Sequence, residues 1–230
     1  YTYTIYTQNS FPHSSGIASS ASGFGAIALC LMEMSEVLGE KNSNEFKRTK
    51  ASFLARLGSG SACRSLYEGL VVWGEHPDIP GSSDLYAVPF PYEVAPVFKG
   101  MQDTVLLLHE GQKEVSSTVG HGLMNNHPYA EARFAEARKN LSELSLILQN
   151  GDIEAFGKIV EHEALTLHAM MMTSDPAFIL MKPSTLAVIE KIWKFRRDSQ
   201  SHLYFTLDAG ANIHLLYPEK EKGLIFSFIK

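Results

Sequence analysis

The chain has 230 residues, 45% of them hydrophobic, which supplies a sizeable core for one large domain or two small lobes and excludes a disordered chain. Its 20 Lys and Arg face 25 Asp and Glu, for a formal charge of −5 and a pI near 6.0, so no basic excess is available to neutralise a nucleic-acid backbone. The longest apolar run, Ala26 to Met32, is far shorter than the roughly 20 residues of a bilayer-spanning helix. The expectation is a soluble protein without nucleic-acid or membrane partners. Cys30 and Cys63 sit in small, apolar surroundings that read as core, neither a disulfide framework nor a zinc set, which fits a reducing cytoplasm.

Tyr1 to Gln8 alternates Tyr or Ile with Thr in the manner of a strand, and Asn9 to Gly16 reads as a loop. From Ala18 the small residues followed by Ile27, Leu29, Leu31 and Met34 predict a tightly packed helix to about Leu38, with Gly39 at its C-terminal cap. Glu45 to Leu57 predicts a second helix with Phe46, Phe53, Leu54 and Leu57 on one face. After the turn Gly58-Ser59-Gly60-Ser61, strands are expected at Leu70 to Trp73 and Leu85 to Phe90, joined by the Pro- and Gly-containing loop Pro77 to Ser83. Pro89, Pro91 and Pro96 mark a boundary, and two lobes are expected, 1–100 and 101–230. The second opens with Thr104 to His109, a continuous apolar run that predicts a buried strand, and a turn at Glu110-Gly111. Helices follow at Tyr129 to Gln149, stopped by Asn150-Gly151, and at Asp152 to Met172, capped by Asp152 with a stripe of Phe156, Ile159 and Val160. A helix at Leu186 to Phe195 precedes strands Leu203 to Leu207 and Ile213 to Tyr217, joined through Asp208-Ala209-Gly210-Ala211-Asn212. Without a regular βαβ repeat, this order favours an α+β fold. Tyr1 falls inside a strand pattern without a preceding Met, and Lys230 directly follows the apolar stretch Leu224 to Ile229, so both ends read as cut.

Three stretches can carry chemistry. In Pro12 to Gly23, Gly16 lets the backbone turn sharply, Ser19 and Ser20 offer hydroxyls, and the helix that begins there aims unpaired N–H groups and a partial positive charge at whatever precedes it. The stretch fits either an anion cradle or a Ser-rich cap on a small-residue helix. It has neither the Walker pattern nor the dinucleotide Gly-x-Gly-x-x-Gly. The run Gly58 to Tyr67 again sets hydroxyls at a helix start, with Arg64 about one turn in; its guanidinium fork suits a carboxylate or phosphate, and a linker ending in a surface arginine is the alternative. Asp208 ahead of Ala209-Gly210 reads, on its own, as turn chemistry.

Taken together, Phe11-Pro12 through Ser22-Gly23, Gly58-Ser59-Gly60-Ser61-Ala62-Cys63-Arg64-Ser65-Leu66-Tyr67, Val115-Ser116-Ser117-Thr118 and Asp208-Ala209-Gly210 resemble, in order and spacing, the motifs of the mevalonate diphosphate decarboxylase family of the GHMP kinase superfamily. The resemblance implies a two-lobed GHMP kinase-like α+β fold, a ribosomal protein S5 domain 2-like N-terminal lobe with an α/β-sandwich C-terminal lobe, truncated at the N-terminus. It implies a carboxy-lyase of the mevalonate pathway and isoprenoid biosynthesis. Such an enzyme uses ATP with Mg2+ to phosphorylate the 3-hydroxyl of mevalonate 5-diphosphate, then releases phosphate and carbon dioxide to leave isopentenyl diphosphate. By correspondence Asp208 orients or deprotonates the hydroxyl, Arg64 clamps the substrate carboxylate, and Ser59, Ser61 and Ser117 hold the substrate. Gly16, Ala18, Ser19 and Ser20 receive the ATP phosphates. A homodimer is usual in such families.

The chain departs from the family pattern in places. Ala211 stands where proline usually follows Asp-Ala-Gly, Glu68 replaces the first glycine of Leu-Tyr-Gly-Gly, and Ser14-Ser15-Gly16-Ile17 replaces Ala-Ala-Gly-Leu. The family's N-terminal Tyr-Trp-Gly-Lys element is not among these residues. Two alternatives stand beside the main reading: a mevalonate 3-kinase or phosphomevalonate decarboxylase, and a non-catalytic phosphate-ligand binder. Other candidates read as structural. His162-Glu163 with His168 lacks the His-Glu-x-x-His zinc spacing, so no metal ligands are assigned and His168 is a packed histidine or a pocket wall. Met170-Met171-Met172 fill core, Lys47-Arg48 and Arg196-Arg197 are solvated charge pairs, and the Ser116-Ser117-Thr118 hydroxyls can cap the helix that follows.

Overall fold

The structure is a computed structural model; it describes residues 4–10, 18–109 and 117–230, with Ser117 and Thr118 described by their backbone alone. These fall into two compact units, 4–10 with 18–91, and 92–109 with 117–230.

In the first unit, α1 (Ser19–Val37) and α2 (Asn44–Gly58) pack against each other and against a 3₁₀ turn, Gly60–Leu66. Ser43 caps α2, its hydroxyl accepting from the Phe46 N–H at 3.1 Å, with Glu45 in the first turn and Arg56 in the last to complement the dipole. Gly39, at φ +100°, ends α1 by donating to the Glu36 carbonyl at 2.9 Å, a left-handed position that suits glycine. The buried stripe of α1 is Ala21, Gly25, Ala28 and Met32, and that of α2 is Ala51, Ser52 and Ala55. The expected face of α2 is therefore corrected: Phe46 is 50% and Leu57 62% exposed. Small residues let two helix backbones approach closely, and here that closeness outweighs the bulk of the aromatic stripe. Cys30 lies exposed on the outer side of α1, while Cys63 is buried. Lys47, expected to be solvated, reaches Glu36 at 2.5 Å and bridges the two helices.

Strands β1 (Val71–Trp73) and β2 (Ala87–Pro89) pair antiparallel, Trp73 opposite Ala87, and the loop between them is tied by Trp73 Nε1 donating to the Asp84 carbonyl at 3.0 Å. The expected first strand is not found among residues 4–8: they are exposed, and no described strand pairs with them. Alternation gives a segment a strand-like face, but a strand also needs a ladder partner. Residues 1–3 and 11–17, the latter including Gly16, lie outside the described residues.

The second unit holds a short helix α3 (Pro96–Lys99), then β3 (Met101–Leu106), β4 (Tyr204–Leu207) and β5 (Ile213–Pro218) in an antiparallel sheet of order β3-β5-β4. One face, formed by Phe205, Leu207, Ile213, Leu215 and Tyr217, is covered by Ala164, Ile189, Ile192 and Ile225 to make the core. Each large side chain fully buried there contributes about 1.5–3 kcal/mol. The strand expected at Thr104 to His109 begins earlier and is half-buried, because β3 is the sheet's edge in the described residues. The turn expected at Glu110-Gly111 lies outside the described residues.

Between β3 and β4 run α4 (Ser117–Gly122), α5 (Ala130–Asn150), α6 (Ile153–Met172) and α7 (Pro183–Ser199), and α8 (Lys222–Ile229) follows β5. As expected, Gly151 in the left-handed region stops α5, and Asp152 caps α6 by accepting from the Ala155 N–H at 2.9 Å. The inward face of α6 is not Phe156, Ile159 and Val160 but the stripe Gly157, Glu161, Ala164, His168 and Met171. Gly157 is there because the Tyr204 ring occupies the place of its side chain. Glu161 is buried because Arg196 grips it with two nitrogens, at 2.6 and 3.1 Å, and Trp193 Nε1 donates at 3.0 Å. Arg196 is thus a packed ion pair, not a solvated charge. Met170 and Met171 fill core as expected, whereas Met172 is largely exposed. Among the described residues no helix is long and apolar enough to cross a membrane.

Candidate active site

In the first unit the N-terminus of α1 opens on Ala18, whose φ of 58° is left-handed. A non-glycine residue held there costs about 1 kcal/mol or more and such strain concentrates at functional sites. Ala18 contributes its backbone: its carbonyl accepts from the N–H groups of Ala21 and Ser22 at 3.0 and 3.3 Å. Among the described residues no side-chain cap forms at Ala18, and the first turn carries no acidic residue, so its electrostatics favour an anion. Ser19 and Ser20 are the first two helical residues, and they join Thr7, Gln8, Phe24 and Ile27 in lining a cavity of about 520 Å³. α1 supplies both the hydroxyls of Ser19 and Ser20 at its terminus and the apolar surface of Phe24 and Ile27, and Thr7, Gln8 and Asn9 add polar groups. That combination suits an anion attached to a flat apolar group.

The second serine turn meets the first. Ser20 Oγ and Ser59 Oγ, 39 residues apart, share a hydrogen bond at 3.3 Å. Ser59 is the extended residue ending α2, and its carbonyl accepts from the Ala62 N–H at 2.9 Å to start the 3₁₀ turn. Glycine at position 60 is required by packing, since a Cβ would stand 2.8 Å from the Trp73 ring. Ser61 is half-buried, and Arg64 projects as an exposed side chain that enters none of the ion pairs among the described residues. The neighbouring Cys63 is sealed: its thiol donates to the Gly60 carbonyl at 3.0 Å and burial raises its pKa, which makes it a structural residue and no nucleophile. One contributor was not singled out from the sequence. Ser52, wholly buried on α2, donates to the Cys63 carbonyl at 2.9 Å and accepts from the Ala87 N–H at 2.9 Å, pinning the turn that presents Arg64 between helix and strand. Its only signal was a hydroxyl within the small-residue run Ala51-Ser52.

In the second unit, Asp208 follows β4 with its side chain exposed on the turn to β5. Its carbonyl accepts from the Gly210 N–H at 2.7 Å and lies 3.1 Å from His168 Nε2. Of the two roles expected for His168, the structure supports the packed one. Burial lowers its pKa, so the ring is neutral near pH 7; a carbonyl only accepts, so Nε2 carries the hydrogen. Two further residues, Thr185 and Asn212, hold the same turn and were not singled out from sequence. Thr185 Oγ1 donates to the Ala211 carbonyl at 2.7 Å, and Asn212 Oδ1 accepts from the N–H groups of Leu108 and His109 at 2.8 and 3.0 Å. Ala211 stands where proline was the family expectation, and either residue offers the carbonyl this bond requires. Ser117 is the first residue of α4. Among the described residues no group of three or more His, Cys, Asp and Glu side chains gathers to hold a metal ion.

Two family models match the chain: the diphosphomevalonate decarboxylase-like N-terminal domain over residues 1–87 and the mevalonate 5-diphosphate decarboxylase C-terminal domain over residues 104–230. The diphosphomevalonate decarboxylase of Ganoderma lucidum is 29% identical over 230 residues, covering 96% of this chain and 54% of that protein. A solved mevalonate diphosphate decarboxylase from Legionella pneumophila matches with a TM-score of 0.80 at 31% identity, over 96% of this chain and 65% of that one. A further structure, of MDDEF in complex with MVAPP, AMPPCP and magnesium, matches with a TM-score of 0.77 at 28% identity, over 95% of this chain and 63% of that one. The chain therefore spans little more than half to just under two thirds of these relatives' lengths.

Proposed function

From the premise that the chain belongs to the diphosphomevalonate decarboxylase family, we propose that it serves the ATP-dependent decarboxylation of mevalonate 5-diphosphate to isopentenyl diphosphate. Its mixed helix and sheet fold is the GHMP kinase-like fold of the solved family members. The observation that best supports the reading is the meeting of two serine turns at Ser20 and Ser59, beside a helix N-terminus without acidic residues. Hydroxyls and amide dipoles gathered in this way suit the phosphate groups of the nucleotide and the substrate.

Within this reading the residues divide the work. ATP with magnesium would supply the phosphoryl group that makes the 3-oxygen able to leave. Ser19 and Ser20, with the amides at the start of α1, would hold the nucleotide's phosphates; magnesium would travel with the nucleotide, and the serine hydroxyls are the hard oxygen donors it accepts. Ser59, Ser61 and Ser117 would hold the substrate diphosphate. Arg64 would clamp the carboxylate with two parallel hydrogen bonds. Asp208 would take or orient the hydroxyl proton, since a tertiary alcohol is a weak nucleophile; in the orienting role its carboxylate keeps its negative charge and would favour the electron deficiency at C3 as the 3-phosphate leaves and carbon dioxide departs.

The test is carbon dioxide release by the intact protein given ATP and mevalonate 5-diphosphate, with mevalonate and its monophosphate run in parallel. Carbon dioxide and inorganic phosphate in equal amounts from the diphosphate are expected. A stable phosphate ester without carbon dioxide would make the protein a 3-kinase, release from the monophosphate alone would reassign the substrate, and binding without turnover would overturn the enzymatic reading.

A further inference from the structure

The connector from Asp208 to Asn212 is longer than a tight hairpin turn, and a connector of that kind is well placed only if something pins it. Here the pins are side chains drawn from the core. His168 is 1% exposed, Thr185 0% and Asn212 4%, while Asp208 itself is exposed. A buried imidazole, hydroxyl or amide is costly unless hydrogen-bonded, and all three direct hydrogen bonds at this connector or from it to the segment that follows β3. His168, on α6, donates from Nε2 to the carbonyl of Asp208 at 3.1 Å. Thr185, in the first turn of α7, accepts from the Lys182 N–H at 3.1 Å and donates to the Ala211 carbonyl at 2.7 Å, linking the start of a helix to the connector. Asn212 ties the far end to the segment just after β3, accepting from Leu108 and His109 and donating to the His109 carbonyl at 3.2 Å.

We propose that His168 and Thr185 are positioning residues for Asp208: by fixing the peptide planes on the two sides of the turn, they set the direction in which its carboxylate points. The proposal rests on the reading of Asp208 as the group that addresses the substrate hydroxyl. The first plane holds the carbonyl of Asp208, so its rotation swings the Cα–Cβ bond that carries the carboxylate. A displacement of about 1 Å at a reacting group costs up to about 100-fold in rate. A residue that acts only through this geometry affects turnover and leaves the binding of substrates by other residues intact.

The experiment pairs a substitution that removes each hydrogen bond with one that keeps it, in the intact protein: Thr185→Val against Thr185→Ser, and His168→Leu against His168→Gln. Carbon dioxide release is measured over ranges of ATP and mevalonate 5-diphosphate, with thermal unfolding recorded for every variant. Thr185→Val and His168→Leu are expected to lower kcat by on the order of 10- to 100-fold with both KM values within about twofold. Thr185→Ser and His168→Gln are expected to restore most of the rate. Folded variants that keep the wild-type kcat, or that lose it through KM, overturn the proposal, as does failure of both conservative variants to recover. Should Thr185→Val not fold, the His168 pair decides on the same criteria. Absence of carbon dioxide release from the wild-type protein is a different result, one that overturns the functional reading and this proposal with it.

Discussion

Asp208 and Arg64 owe their availability to neighbours that hold the backbone and leave the charged group alone. At Arg64 the work is done by Ser52, which ties the Cys63 carbonyl to the Ala87 N–H. At Asp208 it is done by His168 and Thr185. Asp208→Asn retains shape and hydrogen-bonding reach but cannot take a proton, so decarboxylation is expected to fall on the order of 10²- to 10⁴-fold. ATP affinity, measured by calorimetry, is expected to stay near wild type. Unchanged turnover would remove Asp208 from the mechanism. Arg64→Ala is expected to raise the KM for mevalonate 5-diphosphate, and Arg64→Lys to recover only part of it, because an ammonium cannot supply two parallel bonds to a carboxylate. Equal recovery by lysine would argue that Arg64 acts as a point charge.

Helices and strands here place polar groups against core faces, and each element has to neutralise what it buries. On α6 the inward stripe includes Glu161, satisfied by Arg196 and Trp193 of α7, and His168, satisfied by the turn after β4. Between strands, Asp103 on β3 lies 3.0 Å from Nδ1 of His214 on β5. That hydrogen bond raises the His214 pKa above its usual 6.5; burial opposes it, and the charges of Asp103 and Asp208 add to the rise. The folded state therefore binds the proton more tightly than the unfolded chain, and the resulting stability is complete below the unfolded pKa of about 6.5 and lost as pH rises through the folded value. Asp103→Asn is expected to lower the urea midpoint at about pH 5.5 and to match wild type at about pH 9, where the imidazole is neutral in both states. A deficit of equal size at both pH values would show that Asp103 contributes through packing alone.

The molecule is two units with cores of different character. The first is built around alanines packed at close range, the second around Phe205, Ile213, Leu215, Tyr217 and other large side chains. The chain has two tryptophans, and the structure puts Trp73 in the first unit and Trp193 in the second. Each thus reports on one unit, once the other is replaced by phenylalanine. If the start of α1 is where nucleotide binds, ATP at about 100 times its Kd is expected to stabilise the transition seen at Trp73 by about 2.7 kcal/mol. A shift confined to Trp193 would place the nucleotide elsewhere.

Most helix and turn boundaries were legible along the chain, because the signals that set them are local. Gly39 and Gly151 end helices by adopting a left-handed backbone, Asp152 caps the next helix with its own oxygen, and the motif turns at Ser59 to Arg64 and at Asp208 carry their hydroxyl, guanidinium and carboxylate groups in plain order. The same order of motifs was enough to point to the family. Packing settled other matters. The buried face of α2 is its alanines and not its aromatics, since backbone approach depends on the partner helix. The inward stripe of α6 carries a glutamate and a histidine, since a buried polar group is tolerated only where distant residues complete its hydrogen bonds. Ser20 and Ser59 meet across 39 residues, and Ser52 and Thr185 look like ordinary helical residues until the chain brings a carbonyl to each. A local pattern specifies backbone conformation; which polar group ends beside which depends on contacts between residues far apart in the chain.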